Sequence, residues 1–352
     1  MKPLDSITGQ NQARRVLLAA VESRRLAHAY IFAGPEGSGR LTSALDLARV
    51  LMCSEEENGF CGHCTQCRQI SAFSHPDVRL TIPVLKSTSP DDIIEKLNAR
   101  AEDGITPIRF SGNTYISIEQ VRALEGRLSK KSYTGKGYVE IILDAHLMGR
   151  EAANAMLKTL EEPPAGTLLV LVTSRLRNLL PTVRSRAHTV RFGRLPSCSV
   201  KEVLLSRGVE MEKAEQLSMV ADGCPGRALE LSREEIRGSE ESMELFSHLV
   251  SGESGTMELS ALAAEKAREH GREGLLKLCS DMISLAHDVR RARAGLLPLI
   301  NSSLPSAETC DDMMLTCLIE RMDKCMVRLK ANVSPVMAFS AALAGAAPGN
   351  RR

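Results

Sequence analysis

The sequence predicts an α/β domain on a parallel sheet covered on both faces, followed by an all-helical remainder. Three observations carry this. Short apolar runs alternate with segments of helical period from about residue 29 to residue 192, the pattern of a buried parallel sheet. A glycine-rich turn, Gly34-Pro35-Glu36-Gly37-Ser38-Gly39, joins the first apolar run to a helix. After Pro196 the strand-like runs stop and only helical spacing remains.

In order along the chain, residues 5–27 have an amphipathic helical pattern, with Val16, Leu17, Ala20 and Val21 on one side. Ala29 to Ala33 is a buried strand, and Thr42 to Met52 a helix after the glycine turn. Asp77 to Pro83 has strand character. Residues 86–116, rich in Ser, Pro, Asp and Gly around a short helical piece, are expected to form a polar surface insertion. Helical spacing resumes over Ile118 to Leu128, and Tyr138 to Leu143 is an apolar run ending at Asp144. Ala153, Met156, Leu157 and Leu160 fall at i, i+3, i+4 and i+7, and Pro163-Pro164 stops that helix. Thr167 to Thr173 and Ala187 to Phe192 complete the strands. Short helices follow at about 199–206, 211–221 and 225–232, with loops at 251–255 and 301–308 in the helical remainder. There, Met314, Leu318, Met322, Cys325 and Leu329 form a stripe best explained as the core of a helix bundle.

Composition narrows the function classes. The 352 residues include 43% hydrophobic and 25% charged side chains, ordinary for a folded soluble chain. Lys and Arg (45) nearly balance Asp and Glu (43), which argues against nucleic-acid binding by bulk charge. Seven Phe, four Tyr and no Trp leave little for a base-stacking platform. With neither a signal-peptide core at Met1-Lys2-Pro3-Leu4-Asp5 nor an apolar run of bilayer length, a cytoplasmic protein without membrane attachment is expected.

The glycine turn has the layout of a phosphate-binding loop, in which backbone N–H groups, a helix N-terminus, a Lys and a metal-binding hydroxyl meet a nucleotide. Here Gly34 and Gly39 keep the frame, but Arg40 stands where the Lys belongs and Leu41 where the hydroxyl belongs. Arginine keeps the charge; leucine cannot bind magnesium. Asp144 and Thr173, at the carboxyl ends of strands, are placed to converge on the same pocket. Cys53, Cys61, Cys64 and Cys67 supply four sulfurs within one short segment, the donor set of a closed, structural Zn²⁺ site, with His63 between ligands and pointing out. The cysteines at 198, 224, 279, 310, 317 and 325 are expected to be small apolar core residues.

These elements together resemble one family, the bacterial sliding-clamp loader subunits of the AAA+ class. The resemblance rests on His28-Ala29-Tyr30-Ile31-Phe32 before the glycine turn, the four-cysteine module, His75-Pro76-Asp77, and Leu143-Asp144-Ala145-His146. It continues through Asn154 to Pro164 and Ser185-Arg186, and more loosely through Pro225-Gly226-Arg227 and Lys330-Ala331-Asn332-Val333. It implies a RecA-like AAA+ domain at 1–195 with the zinc module at 53–67, a three-helix lid at 196–234, and a helical collar for oligomerisation at 235–352. It further implies a pentamer of the DNA polymerase III holoenzyme in which ATPase subunits and a delta-type subunit open the sliding clamp and load it on primed DNA.

In the family's ATPases the acid at the strand end is followed by a Glu that positions the attacking water; here Asp144 is followed by Ala145. Leu41 and Ala145 thus remove two groups that hydrolysis requires. The resemblance assigns Gly34, Gly37, Gly39, Arg40, Asp144, Thr173 and Arg227 to a degenerate nucleotide pocket, leaving open whether ATP still binds. It makes Arg186, with Ser185, an arginine finger for a neighbour's ATP site, although Ala187 replaces the family's Cys. Two other readings stand beside it: an active ATPase motor subunit of the gamma/tau type, using Thr42 or Ser43 for magnesium, and a zinc-stabilised nucleic-acid-binding module.

Overall fold

A computed structural model of the chain describes residues 9–56, 59–104, 106–110, 112–233, 240–251, 255–294, 311–331 and 333–346. It divides into two compact units, Met1–Arg233 and Glu234–Arg352. The first unit is α/β. Its elements are α1 (Asn11–Glu22), β1 (Ala29–Ala33), α2 (Arg40–Met52), α3 (Thr65–Ser71), β2 (Val78–Thr81), α4 (Pro90–Asp103) and α5 (Ile118–Leu128). Next come β3 (Tyr138–Ile142), α6 (Arg150–Glu161), β4 (Thr167–Thr173), α7 (Pro181–Arg184) and β5 (His188–Arg191). Three helices close the unit: α8 (Ser197–Ser206), α9 (Met211–Val220) and α10 (Pro225–Arg233).

The strands form one sheet in the order β2-β3-β4-β1-β5, and every pair is parallel. Parallel strands need crossover helices, so both faces are covered and the interior strands β1 and β4 are buried along their whole length, while the edge strand β5 is mostly exposed. Alternation then sorts side chains between two cores. Tyr30, Phe32, Val139, Ile141, Leu168, Val170 and Val172 join α1, α2 and the cysteine module on one face. Ala29, Ile31, Ala33, Ile142, Leu169 and Leu171 join α5, α6 and α7 on the other. Phe32 meets Phe192 with ring centroids 5.2 Å apart, tying β1 to the segment after β5. Full burial of one such side chain is worth roughly 1.5–3 kcal/mol.

Two segments differ from the sequence reading. The first helix starts at Asn11 rather than near residue 5, and residues 1–8 lie outside the described set. Residues 86–116 are more than a surface insertion. Ser89 and Asp92 form a capping box that starts α4, and Ile93, Leu97, Ile108 and Phe110 pack into the core on the α2 side of the sheet. Their apolar residues are sparse enough to look like loop, and only the partner surface makes them core.

A polar brace joins the cysteine module to the amino ends of β2 and β3. Buried Asp77 accepts from Ser132 Oγ (3.1 Å), Tyr133 N (2.8 Å), Thr134 N (2.7 Å) and Thr134 Oγ1 (2.7 Å). Lys136 Nζ donates to the carbonyl of Cys53, and buried His75 sits between Gln66 Oε1 and the Asp77 N–H. Arg49 reaches from α2 to Asp46 and Ser71 Oγ and stacks over Phe60, 5.7 Å from the ring centroid.

The second unit contains α11 (Glu240–Ser251), α12 (Thr256–Arg293, broken at Gly271), α13 (Asp312–Lys330) and α14 (Pro335–Ala346). Met314, Leu318, Met322, Cys325 and Leu329 are all buried, so the methionine-containing stripe is the bundle core. Among the described residues no helix is long and apolar enough to cross a membrane. Cys224, Cys279 and Cys325 are buried and Cys317 half-buried. Cys198 is exposed, contrary to the sequence expectation, because it lies on the solvent side of α8 opposite Val200 and Leu204; Cys310 falls outside the described residues.

Burial by itself would raise the Asp77 pKa; the hydrogen bonds from Thr134, Tyr133 and Ser132 outweigh it and hold the carboxyl below its usual range. The resulting stabilisation is full above the unfolded pKa of about 3.9 and is lost as pH falls through the lower folded value. Asp77→Asn, which replaces the charged acceptor with a neutral one, should therefore cost ~2–3 kcal/mol at neutral pH. Denaturant titrations at pH 7 and below pH 4 test this: the gap between variant and wild type narrows in acid, and a pH-independent gap would rule out the charge contribution.

Candidate functional site

The glycine loop leaves β1 at the carboxyl edge of the sheet, where ligands bind in open α/β sheets. Gly34 N donates to Thr173 O at 3.2 Å, and Gly34 lies so close to Phe192 that a Cβ would sit 2.3 Å from the Phe192 carbonyl oxygen. Gly37 has φ +75°, and its carbonyl accepts from Gly226 N at 2.8 Å. The first turn of α10 therefore rests directly on the loop. A Cβ at Gly37 would meet Arg227 N at 2.8 Å, so Gly is required there for both conformation and space.

A residue without a sequence signal holds the loop from below. Gln10, buried, exchanges two hydrogen bonds with the Gly193 backbone (2.7 and 2.9 Å) and donates to Ser38 O (3.2 Å). It ties the chain before α1 to the glycine loop and to the segment after β5. A lone glutamine in a polar stretch has no periodicity to reveal such a role. Arg109, from the segment after α4, bridges Glu36 of the loop and Glu230 of α10, each at 3.3 Å. Exposed pairs of this kind stabilise little, but they register three segments against one another.

Arg40 begins α2 and is buried, and its Nη1 has no hydrogen-bond partner among the described residues. Burial lowers its pKa, an effect opposed by Asp144 and Glu36. Burial raises the pKa of Asp144, which has φ +46°, and Arg40 opposes that shift. The two groups are thus near enough to influence each other's charge. Thr173 Oγ1 lies 3.1 Å from His146 Nδ1 and accepts from Arg175 N, while the Arg227 side chain is exposed. The structure brings Gly34, Gly37, Gly39, Arg40, Asp144 and Thr173 together, with the Arg227 backbone against the loop.

The hydroxyls near the loop are occupied within the chain. Ser43 Oγ donates to Gly39 O (2.8 Å), Ser38 Oγ to Pro35 O (2.7 Å), and Thr42 Oγ1 accepts from Arg100 Nη2 (3.3 Å). With Leu41 apolar and Ala145 buried, this donor set does not fit a magnesium ion bound to a nucleotide.

In the cysteine module the four sulfurs of Cys53, Cys61, Cys64 and Cys67 lie within 4.8 Å of one another. Backbone N–H groups of Cys61, Cys64 and Cys67 donate to Cys53, Cys61 and Cys64 sulfurs respectively, at 3.2–3.4 Å. Burial opposes ionisation of Cys64, but donors from Ser54 and Cys67 prevail and bring its thiol down to about 6. Four converging sulfurs, with the Cys53 and Cys64 thiols shifted toward thiolate, are the donor set of a tetrahedral metal ion. His63 points outward and pairs with Glu55 instead.

Arg186 and Ser185 are not part of the loop pocket. They follow α7, where Arg186 Nε donates to Glu161 Oε1 (2.7 Å) and Nη1 to Thr182 O (2.9 Å) and Ser185 Oγ (3.3 Å). The side chain remains about one-third exposed, 34%.

Sheet order, a glycine loop after an interior strand and α10 resting on that loop define a domain of the AAA+ class with an altered loop. A family model described as DNA polymerase III, delta subunit, matches residues 9–196, more than half of the chain, and the chain belongs to that family. DNA polymerase III subunit delta' of Bacillus subtilis (strain 168) is 31% identical over 224 residues, 64% of this chain and 59% of that protein. The subunit delta' of Escherichia coli (strain K12) is 31% identical over 218 residues, 61% of this chain and 57% of the relative. Subunit gamma/tau of Mycobacterium tuberculosis is 29% identical over 207 residues, 58% of this chain and 31% of the relative. The matched region thus spans a little under three fifths of the length of the delta' relatives.

The contact between loop and lid sets an expected difference between two glycines. Gly37→Ala meets both the left-handed conformation, about 1–2 kcal/mol for a residue with a Cβ, and the Arg227 backbone. Gly39→Ala meets the conformation alone, since nothing lies within 4 Å of its Cβ position. Thermal denaturation should place Gly37→Ala below Gly39→Ala, with faster amide exchange over 225–233; equal losses would mean the loop and lid are not coupled.

Proposed function

We propose that the chain is a clamp-loader subunit of the DNA polymerase III system that does not hydrolyse ATP. It acts as a scaffold and presents Arg186 to the ATP site of a neighbouring ATPase subunit. Its partners would be ATPase subunits and a delta-type subunit in a pentamer, which opens the sliding clamp and loads it on primed DNA. The carrying observation is the pairing of a disabled loop with an outward arginine. Leu41 and Ala145 stand in place of a hydroxyl and a carboxylate, and Thr42 and Ser43 are engaged elsewhere, while the Arg186 guanidinium is partly exposed. The engagement of Thr42 and Ser43 weighs against the motor reading, which needs one of them at magnesium.

Phosphoryl transfer is catalysed by positioning and electrostatics, and a guanidinium supplied from a neighbour stabilises charge as it moves toward the leaving oxygen. Arginine suits this because its planar fork donates in parallel to phosphate oxygens, whereas lysine offers a point charge. In its own pocket the chain needs no catalysis; direct backbone contact between α10 and the glycine loop sets the lid position. The four cysteines would hold a structural Zn²⁺, closing a segment of 15 residues (53–67) whose own apolar core is small.

Three measurements test this function. Metal analysis of protein purified without chelator should find about one zinc per chain, lost in Cys64→Ser together with order over residues 53–67; zinc-free native protein would overturn the structural-metal assignment. In the reconstituted loader, Arg186→Ala should leave zinc content and assembly unchanged and lower clamp-stimulated ATP hydrolysis and loading, with Arg186→Lys restoring little. A finger on which a whole reaction depends is worth roughly 10³–10⁵, so with several ATP sites the loss in total turnover is smaller. The isolated chain should show no turnover above background. Wild-type loading by the alanine variant would reduce the subunit to a scaffold.

A further inference from the structure

We infer that Glu161 is the positioning residue for Arg186: it grips one edge of the guanidinium so that the opposite end is held outward, ready for a phosphate on a neighbouring subunit. This inference rests on the finger role proposed for Arg186.

The geometry is that of a cradle with three walls. Glu161, the last residue of α6, takes the side edge of the guanidinium, with its Oε1 accepting from Nε (2.7 Å) and ion-paired with Nη2. Thr182, in α7, accepts from Nη1 through its carbonyl at 2.9 Å. Ser185 Oγ, which itself donates to Thr182 O at 3.0 Å, lies 3.3 Å from the same Nη1. The second N–H of Nη2 has no acceptor among the described residues, and it points along the end of the fork that a phosphate oxygen would meet.

The walls themselves are fixed by the core. Leu160, the residue before Glu161, is buried beside Ala153 and Met156, and Val183 of α7 is buried in the same cluster. Pro163-Pro164 ends the helix immediately after the acid, so Glu161 stands at a defined position in the last turn. Arginine on a free surface samples many rotamers, and each must be frozen when a phosphate is engaged. A carboxylate on the side edge freezes them beforehand while leaving the end of the fork exposed. Such pre-organisation acts on the transition state, where small displacements are costly.

A masking role for Glu161 predicts the reverse sign, because its removal would then free the finger. The partial exposure of the guanidinium favours positioning. Glu161 is itself half-exposed, so its replacement leaves the core intact.

The test is a set of full-length variants in the reconstituted loader with clamp and primed DNA: Glu161→Ala, Glu161→Gln, Arg186→Ala and the double Glu161→Ala/Arg186→Ala. Glu161→Ala should lower kcat for ATP about tenfold at the interface it serves, with KM for ATP and assembly affinity unchanged. Glu161→Gln, which keeps an acceptor oxygen without its charge, should recover part of the loss. The double variant should be no slower than Arg186→Ala, since Glu161 acts only through that arginine. Wild-type kcat in Glu161→Ala beside an impaired Arg186→Ala overturns the positioning role and keeps the finger. An increase in kcat overturns it in favour of masking, and additive losses in the double variant overturn it in favour of a separate role. If Arg186→Ala is itself unimpaired, the finger reading fails and the positioning role fails with it.

Discussion

The hydrogen bond from Gly226 N to Gly37 O, with the close backbone approach around it, is the constraint on which the site depends. A phosphate-binding loop ordinarily turns its backbone donors toward a ligand. In this chain one loop carbonyl is instead taken by the first turn of α10, at a distance that admits no Cβ on either glycine. The lid helices therefore have a position defined by the chain itself. Gln10 below the loop and Arg109 beside it add a polar frame that joins the segments before α1, after α4 and after β5.

A second consequence concerns charge. Arg40 is buried and Asp144 half-buried, and desolvation shifts each toward its neutral form while each opposes the shift in the other. A desolvated pair of this kind is weak evidence for stability, since desolvation offsets much of the attraction. Arg40 also keeps a buried Nη1 without a hydrogen-bond partner among the described residues. Arg186 is in the opposite situation: one-third exposed, held by Glu161, Thr182 and Ser185, and remote in its contacts from the loop.

The cysteine module has a role in the sheet as well as bringing four sulfurs together. Its helix α3 carries Gln66 to His75, and the Cys53 carbonyl accepts from Lys136, so the module, the start of β2 and the loop before β3 are one polar network. At its centre Asp77 satisfies four donors from three residues. The histidine and aspartate of the His-Pro-Asp triplet, visible in the sequence only as a motif, are both needed for that network.

The sequence by itself determined the parallel sheet and the cysteine donor set, because continuous apolar runs, helical spacing and cysteine density are local properties. It also determined what the loop lacks, since Leu41 and Ala145 are substitutions at known offsets from the glycines and Asp144. Tertiary structure decided the rest. Ile93, Leu97, Ile108 and Phe110 are too thinly spread to signal a core, and become one only against α2. Gln10 and Ser38, 28 residues apart, and Glu161 and Arg186, 25 apart, meet only once the chain has folded. No local pattern encodes such pairs, because a hydrogen bond between distant residues depends on the path of the backbone between them rather than on spacing along it.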